Sequence, residues 1–138
     1  MATRESSSSV KITGTLDDTA VSTNTDTLGT EVDTQGYNSV TLMAFNSGAN
    51  GAAGTYTVQC WSSDASGSGF ANDTDTVTQS GTVSFDATTD GACAWIGYIG
   101  IKRYVKLNVV STGVTGATDI AGCVSLGHPH NAPVTSNA

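Results

Sequence analysis

Arg103-Tyr104-Val105-Lys106-Leu107-Asn108-Val109-Val110 places Val105, Leu107 and Val109 on one side of an extended chain and Tyr104, Lys106 and Asn108 on the other. Successive side chains of a β-strand point to opposite faces, so a period of two marks a strand with one buried side. This is the clearest alternation in the chain, and the fold class follows from finding it repeated on either side.

Upstream, Thr55 to Ser62 sets Tyr56, Val58 and Cys60 against Thr55, Thr57, Gln59 and Trp61. Tyr37 to Asn46 sets Val40, Leu42 and Ala44 against Met43 and Phe45, so both sides are apolar toward its end and a strand covered on both sides is expected there. Gly81 to Asp86 turns Val83 and Phe85 inward, Ala92 to Ile99 forms another strand with Trp95 in the core, and Thr118 to Leu126 carries Ile120, Val124 and Leu126 on one side. Residues 10–34 hold two short strands, Ser47 to Gly54 is a turn region, and residues 63–80 form a long polar loop.

Seven to nine short strands with no amphipathic helix predict an all-β fold, a two-sheet antiparallel β-sandwich. The Cys–Trp–Cys order of an immunoglobulin domain is missing and the loops are long, which favours a jelly roll. Residues 1–9, ending in Ser6-Ser7-Ser8-Ser9, are expected to form a flexible arm, and residues 10–138 a single domain.

The chain of 138 residues carries a formal net charge of −7, and charged residues make up only 12%. The acidic balance argues against nucleic acid, whose binders show a basic footprint, and against an anionic membrane surface. No apolar stretch reaches transmembrane length, and the start lacks the apolar run of a secretory signal. Cys60, Cys93 and Cys123 form an odd set without C-x-x-C spacing, read as buried or half-buried thiols of a protein made in a reducing cytosol.

Catalytic signatures are missing. There is no G-x-S-x-G elbow, and the only histidines are His128 and His130. Two imidazoles fall short of the four ligands of a structural zinc site. Asp73-Thr74-Asp75, Asp86 and Asp90 could offer oxygen ligands to calcium, but without the register of a calcium loop. Asp17-Asp18 and Glu31-x-Asp33 are sequence neighbours that point to solvent rather than across a cleft. No enzyme activity, cofactor or metal is expected.

The candidate interface residues are Trp61, Lys102, Arg103 and Lys106. Trp is enriched at binding hot spots. Three of the five basic residues gather within 102–106 of an otherwise acidic chain. They serve either as edge charges that discourage strand aggregation or as a contact to an acidic partner.

Gly97-Tyr98-Ile99-Gly100-Ile101-Lys102-Arg103-Tyr104-Val105-Lys106-Leu107 resembles a G-Y-x-G-x-K-R-Y-V-[KR]-[LV] pattern of small virion proteins of tailed bacteriophages. Val32–Val40 and Val124–Pro133 fit the same layout, so the resemblance spans roughly residues 30–133, with its specificity in the central stretch. It implies a phage structural protein of the jelly-roll capsid cement, or head-decoration, type. Such a protein would bind the outside of the major capsid protein shell and stabilise the mature head. The pattern marks no catalytic residue. A homodimer is the default assembly, ahead of a trimer. The alternative is a carbohydrate- or receptor-binding sandwich with Trp61, Tyr56 or Tyr98 as stacking platforms.

Overall fold

The computed structural model describes residues 9–48, 50–74 and 82–131. Nine strands follow in order: β1 (Val10–Val21), β2 (Asp26–Asp33), β3 (Tyr37–Asn46), β4 (Ala53–Ser63), β5 (Ala71–Asn72), β6 (Val83–Asp86), β7 (Cys93–Tyr98), β8 (Tyr104–Thr115) and β9 (Thr118–Pro129). They form two antiparallel sheets. The first runs β1-β9-β3-β7, and the second runs β2-β8-β4, with β5 and β6 both pairing the far side of β4. Apart from the β4–β6 connection, successive long strands alternate between sheets, which is the double Greek-key winding of a jelly roll.

The alternation read from the sequence sets the inner faces. Leu42 and Ala44 of β3, Ile96 of β7, and Ile120 and Val124 of β9 face Tyr56, Val58 and Cys60 of β4 and Val105, Leu107 and Val109 of β8, all of them fully buried. Tyr56 stacks on Phe85 with ring centroids 5.4 Å apart. The two sheets pack tightly where Leu107 of β8 meets Gly122 of β9. A Cβ on Gly122 would stand 2.2 Å from Leu107 Cδ2 and 2.9 Å from the Met43 carbonyl oxygen, so only glycine lets the layers approach this far.

Four expectations are corrected. Residues 10–34 hold two strands of 12 and 8 residues rather than short ones. The polar stretch after β4 is not all loop, because β5 pairs Trp61 with Asn72 and Ser62 with Ala71. Trp95 is not in the core: on β7 the buried positions are Ala94, Ile96 and Tyr98, and the opposite parity leaves Trp95 61% exposed. Cys93 shares that parity and is exposed. Cys60 is buried, which pushes its thiol up to about 12, and half-burial raises Cys123 as well. The expected arm falls on residues 1–8, outside the described residues, and on Ser9; Val10 already belongs to β1.

Leu42→Ala, which empties a fully buried site, is expected to cost about 2–5 kcal/mol in equilibrium denaturation. Gly122→Ala is expected to cost about 1–3 kcal/mol by overpacking against Leu107 and the Met43 carbonyl.

Candidate interaction face

The ladder register fixes what the outer side of the first sheet presents. Cys93, Phe45 and Ala121 form one row; Trp95, Met43, Cys123 and Gly14 the next; then Gly97, Thr41, Ser125 and Ile12. Ser39, Gly127 and Val10 continue it. None of these side chains carries a charge, in a chain of net charge −7. Ile12 and Trp95 stand out at 66% and 61% exposure, while Met43, Phe45 and Cys123 are half-buried between them. Charge begins only at the ends. Asp119 and Asp18 lie at one end, where Ser47 Oγ donates to the Asp18 carboxylate. At the other end a ring nitrogen of His128 pairs with Ser39 Oγ at 3.0 Å and one of His130 with Asn38 Oδ1 at 2.8 Å. A shallow apolar cleft of about 200 Å³ adjoins the face where β6 meets β7, lined by Val83, Ser84, Cys93, Ala94 and Trp95. Protein interface cores are depleted of charge in this way, whereas solvent-facing sheets alternate with charged residues.

Beyond β7 the chain turns through residues 99–103, and this loop is built rigidly. Tyr98 Oη accepts a hydrogen bond from Lys102 N at 2.9 Å and donates to Lys102 O at 3.1 Å. A Cβ at Gly100 would lie 2.6 Å from the Tyr98 ring, so glycine is required under the phenol. Lys102 Nζ pairs with Asp73 at 2.8 Å. Arg103 forks onto both oxygens of Asp33 at 2.9 and 2.6 Å, and its carbonyl accepts from Thr34 N and Oγ1. These bonds hold Ile99 and Ile101 out in solvent, at 60% and 100% exposure.

The residues singled out from the sequence lie elsewhere than on the uncharged face. Trp61 and Lys106 are cross-strand partners on the second sheet. Trp61 is half-buried, with its indole N–H donating to Gln59 Oε1 at 3.2 Å, and the Lys106 ammonium sits 4.4 Å over the Phe70 ring. Lys102 and Arg103 brace the loop through the chain's own acids. The hydrogen bond from Lys102, reinforced by Ser62, holds the Asp73 carboxyl below the usual carboxylate range; the Arg103 guanidinium does the same to Asp33. Tyr56 and Tyr98 are buried, so neither can stack on a sugar. Of the calcium candidates, Asp73 is engaged by Lys102 and Ser62, Asp86 accepts from Thr88, and Asp75 lies outside the described residues. Among the described residues no cluster of three or more His, Cys, Asp or Glu could hold a metal ion. The expectation that β3 is covered on both sides toward its end is corrected: Met43 and Phe45, apolar on the side opposite Leu42, lie on a side that no strand covers among the described residues.

No protein-family model and no curated protein matches the chain. Among solved structures, the PBSX exported protein XepA shares the fold over 100% of this chain, with a TM-score of 0.58 at 15% identity. The chain spans 43% of XepA, less than half its length. The SPBc2 prophage-derived protein YomS aligns over 84% of this chain and 94% of its own, at 15% identity and a TM-score of 0.43.

Tyr98→Phe removes both bonds to Lys102 and is expected to cost about 1 kcal/mol, with faster amide exchange at residues 99–102. Because the folded-state pKa of Asp73 is depressed, its contribution is fully present at neutral pH and is lost as the pH falls through about 4 toward the lowered value. Asp73→Asn should therefore lower stability at pH 7 and flatten the acid limb of the stability-versus-pH curve, read by thermal melts between pH 7 and 2.

Proposed function

We propose that the chain is a bacteriophage capsid cement protein that binds the outer surface of the major capsid protein shell and stabilises the mature head. The observation that carries this reading is the uncharged outer face of the first sheet. A protein at −7 that keeps charge to the ends of one sheet face exposes between them an apolar patch of the kind that marks assembly surfaces. Stacking Thr41, Met43, Phe45 and Trp95 against a preformed shell needs no catalytic group and no metal. Each contact can be modest, because the shell repeats the site and multivalent attachment multiplies weak affinities. Binding the mature shell better than its precursor would stabilise the head by the difference in affinity.

The phage assignment draws on the resemblance of Gly97–Leu107 to tailed-phage virion proteins, and the jelly roll is the fold that resemblance implies. The structure gives that segment two parts. Tyr98, Gly100, Lys102 and Arg103 build the loop, and Ile99 and Ile101 are what it displays. Displaying two isoleucines on a rigid loop lowers the ordering cost of docking and suits a contact with an apolar hollow between capsomers. The runner-up, a carbohydrate-binding module, keeps Trp61 of its three platforms and gains the exposed Trp95, but the cleft beside Trp95 is shallow and carries no acid among its lining residues.

The test is co-sedimentation with purified heads of the parent phage, followed by cryo-electron microscopy. The chain is expected on the capsid exterior at a fixed number of copies, and Met43→Lys, at the centre of the uncharged face, is expected to weaken binding at least tenfold while keeping the native circular dichroism. Finding the chain only on the tail, or nowhere in the particle, overturns the proposal.

A further inference from the structure

The four margins of the sandwich are not protected equally. A sheet edge exposes unpaired N–H and C=O groups, and proteins blunt it with charge, bulges, proline or shortness. The β1 edge carries Lys11, Asp17 and Asp18 and two register shifts against β9. The β2 edge carries Asp26, Glu31 and Asp33 and one register shift against β8. On the far side of β4 the margin is split between β5, of two residues, and β6, of four residues ending in Asp86. The β7 edge has none of these devices. Cys93-Ala94-Trp95-Ile96-Gly97-Tyr98 contains no charge and no proline, and it runs against β3 without a register shift.

The hydrogen-bond phase shows which groups are open. Asn46 N donates to Ala92 O, so residues 46 and 92 are a bonded pair, and in an antiparallel ladder bonded pairs recur every second residue. Ala94, Ile96 and Tyr98 therefore spend their backbone groups on β3, and Cys93, Trp95 and Gly97 aim theirs away from the sheet. Among the described residues no strand pairs with that side.

We propose that β7 is a self-association seam: it pairs antiparallel with β7 of a second copy about a two-fold axis at Trp95, joining the two four-stranded sheets into one of eight. The second copy is the occupant because a two-fold contact must match a surface to itself, and β7 is the one margin that presents itself to an identical neighbour without charge, bulge or truncation. The register follows from the open groups. Centring on Trp95 is the alignment that engages all three outward residues, with Cys93 opposite Gly97 of the other copy and Trp95 beside its own equivalent. Cross-strand aromatic pairs add to such a ladder, and the exposed indoles would be covered. The joined outer faces form one continuous uncharged surface across the dimer. The inference stands apart from capsid binding, since it concerns the isolated protein.

The experiment is sedimentation equilibrium on the full chain together with the Gly97→Cys variant on a non-reducing gel. A Cβ at position 97 meets nothing within 4 Å, so the variant is sterically free to fold. Bonded antiparallel residues lie about 5.5 Å apart at Cα, within disulfide reach. The expected result is a mass of two chains and, for Gly97→Cys, a reducible dimer band that disappears when Cys93→Ser is added. Trp95→Lys, which sets like charges together at the axis, is expected to raise the dimer dissociation constant about thirtyfold or more with unchanged circular dichroism. A monomer at all concentrations, a ring of odd copy number, or a dimer that Gly97→Cys fails to cross-link overturns the proposal. None of these results bears on head binding by Met43→Lys, so the two readings fail separately.

Discussion

The closeness of the two sheets at Leu107 and Gly122 is the constraint on which the rest of the molecule depends. Leu107 is fully buried and its methyl occupies the space a side chain at position 122 would need. Once the layers meet there, each long strand must turn one parity of residues inward. A slip of one residue would bring Thr57, Lys106 or Ser125 into the core in place of Val58, Leu107 or Val124. The outward parity is then free of packing duty, and its composition can serve another purpose. On the first sheet that composition is uncharged and partly apolar.

The charges of the chain are placed accordingly. Acids occupy the β1 and β2 edges, where they oppose edge pairing, and one end of the first sheet. The basic cluster at 102–106 is drawn inward on the chain's own acids and on Phe70: Lys102 to Asp73, Arg103 to Asp33, Lys106 over the ring. The Arg103–Asp33 pair is nearly half exposed, so it contributes little stability, and what it supplies is the path of the loop. That path, with the Tyr98 phenol bridging both backbone groups of Lys102, is why two isoleucines stand in water. The most distinctive stretch of the sequence is thus part scaffold and part display.

Much of this was legible beforehand. The alternation at Tyr37–Asn46, Thr55–Ser62 and Arg103–Val110 named the inward residues correctly, and turn-rich segments separated them into the strands of a two-sheet sandwich. The candidate face was half legible. Met43 and Phe45 were visibly apolar on the side opposite Leu42, but apolar character on both sides reads equally as two-sided burial. Trp95 was expected in the core, whereas the parity it shares with Cys93 and Gly97, opposite to Ala94, Ile96 and Tyr98, assigns it to the outside. The basic cluster was conspicuous only because its acidic partners, 29 and 70 residues away, are distant in sequence.

The sequence by itself determined which residues share a side of each strand, because side-chain direction in an extended chain is a local matter of period two. The tertiary structure alone decided which side is covered, which strands lie at the margins, and which charges find partners. Covering, edge position and ion pairing depend on segments brought together across the sandwich, and no local pattern encodes them. Only in the folded molecule do Thr41, Met43, Phe45 and Trp95 become one uncharged surface, and only there does β7 become an open edge.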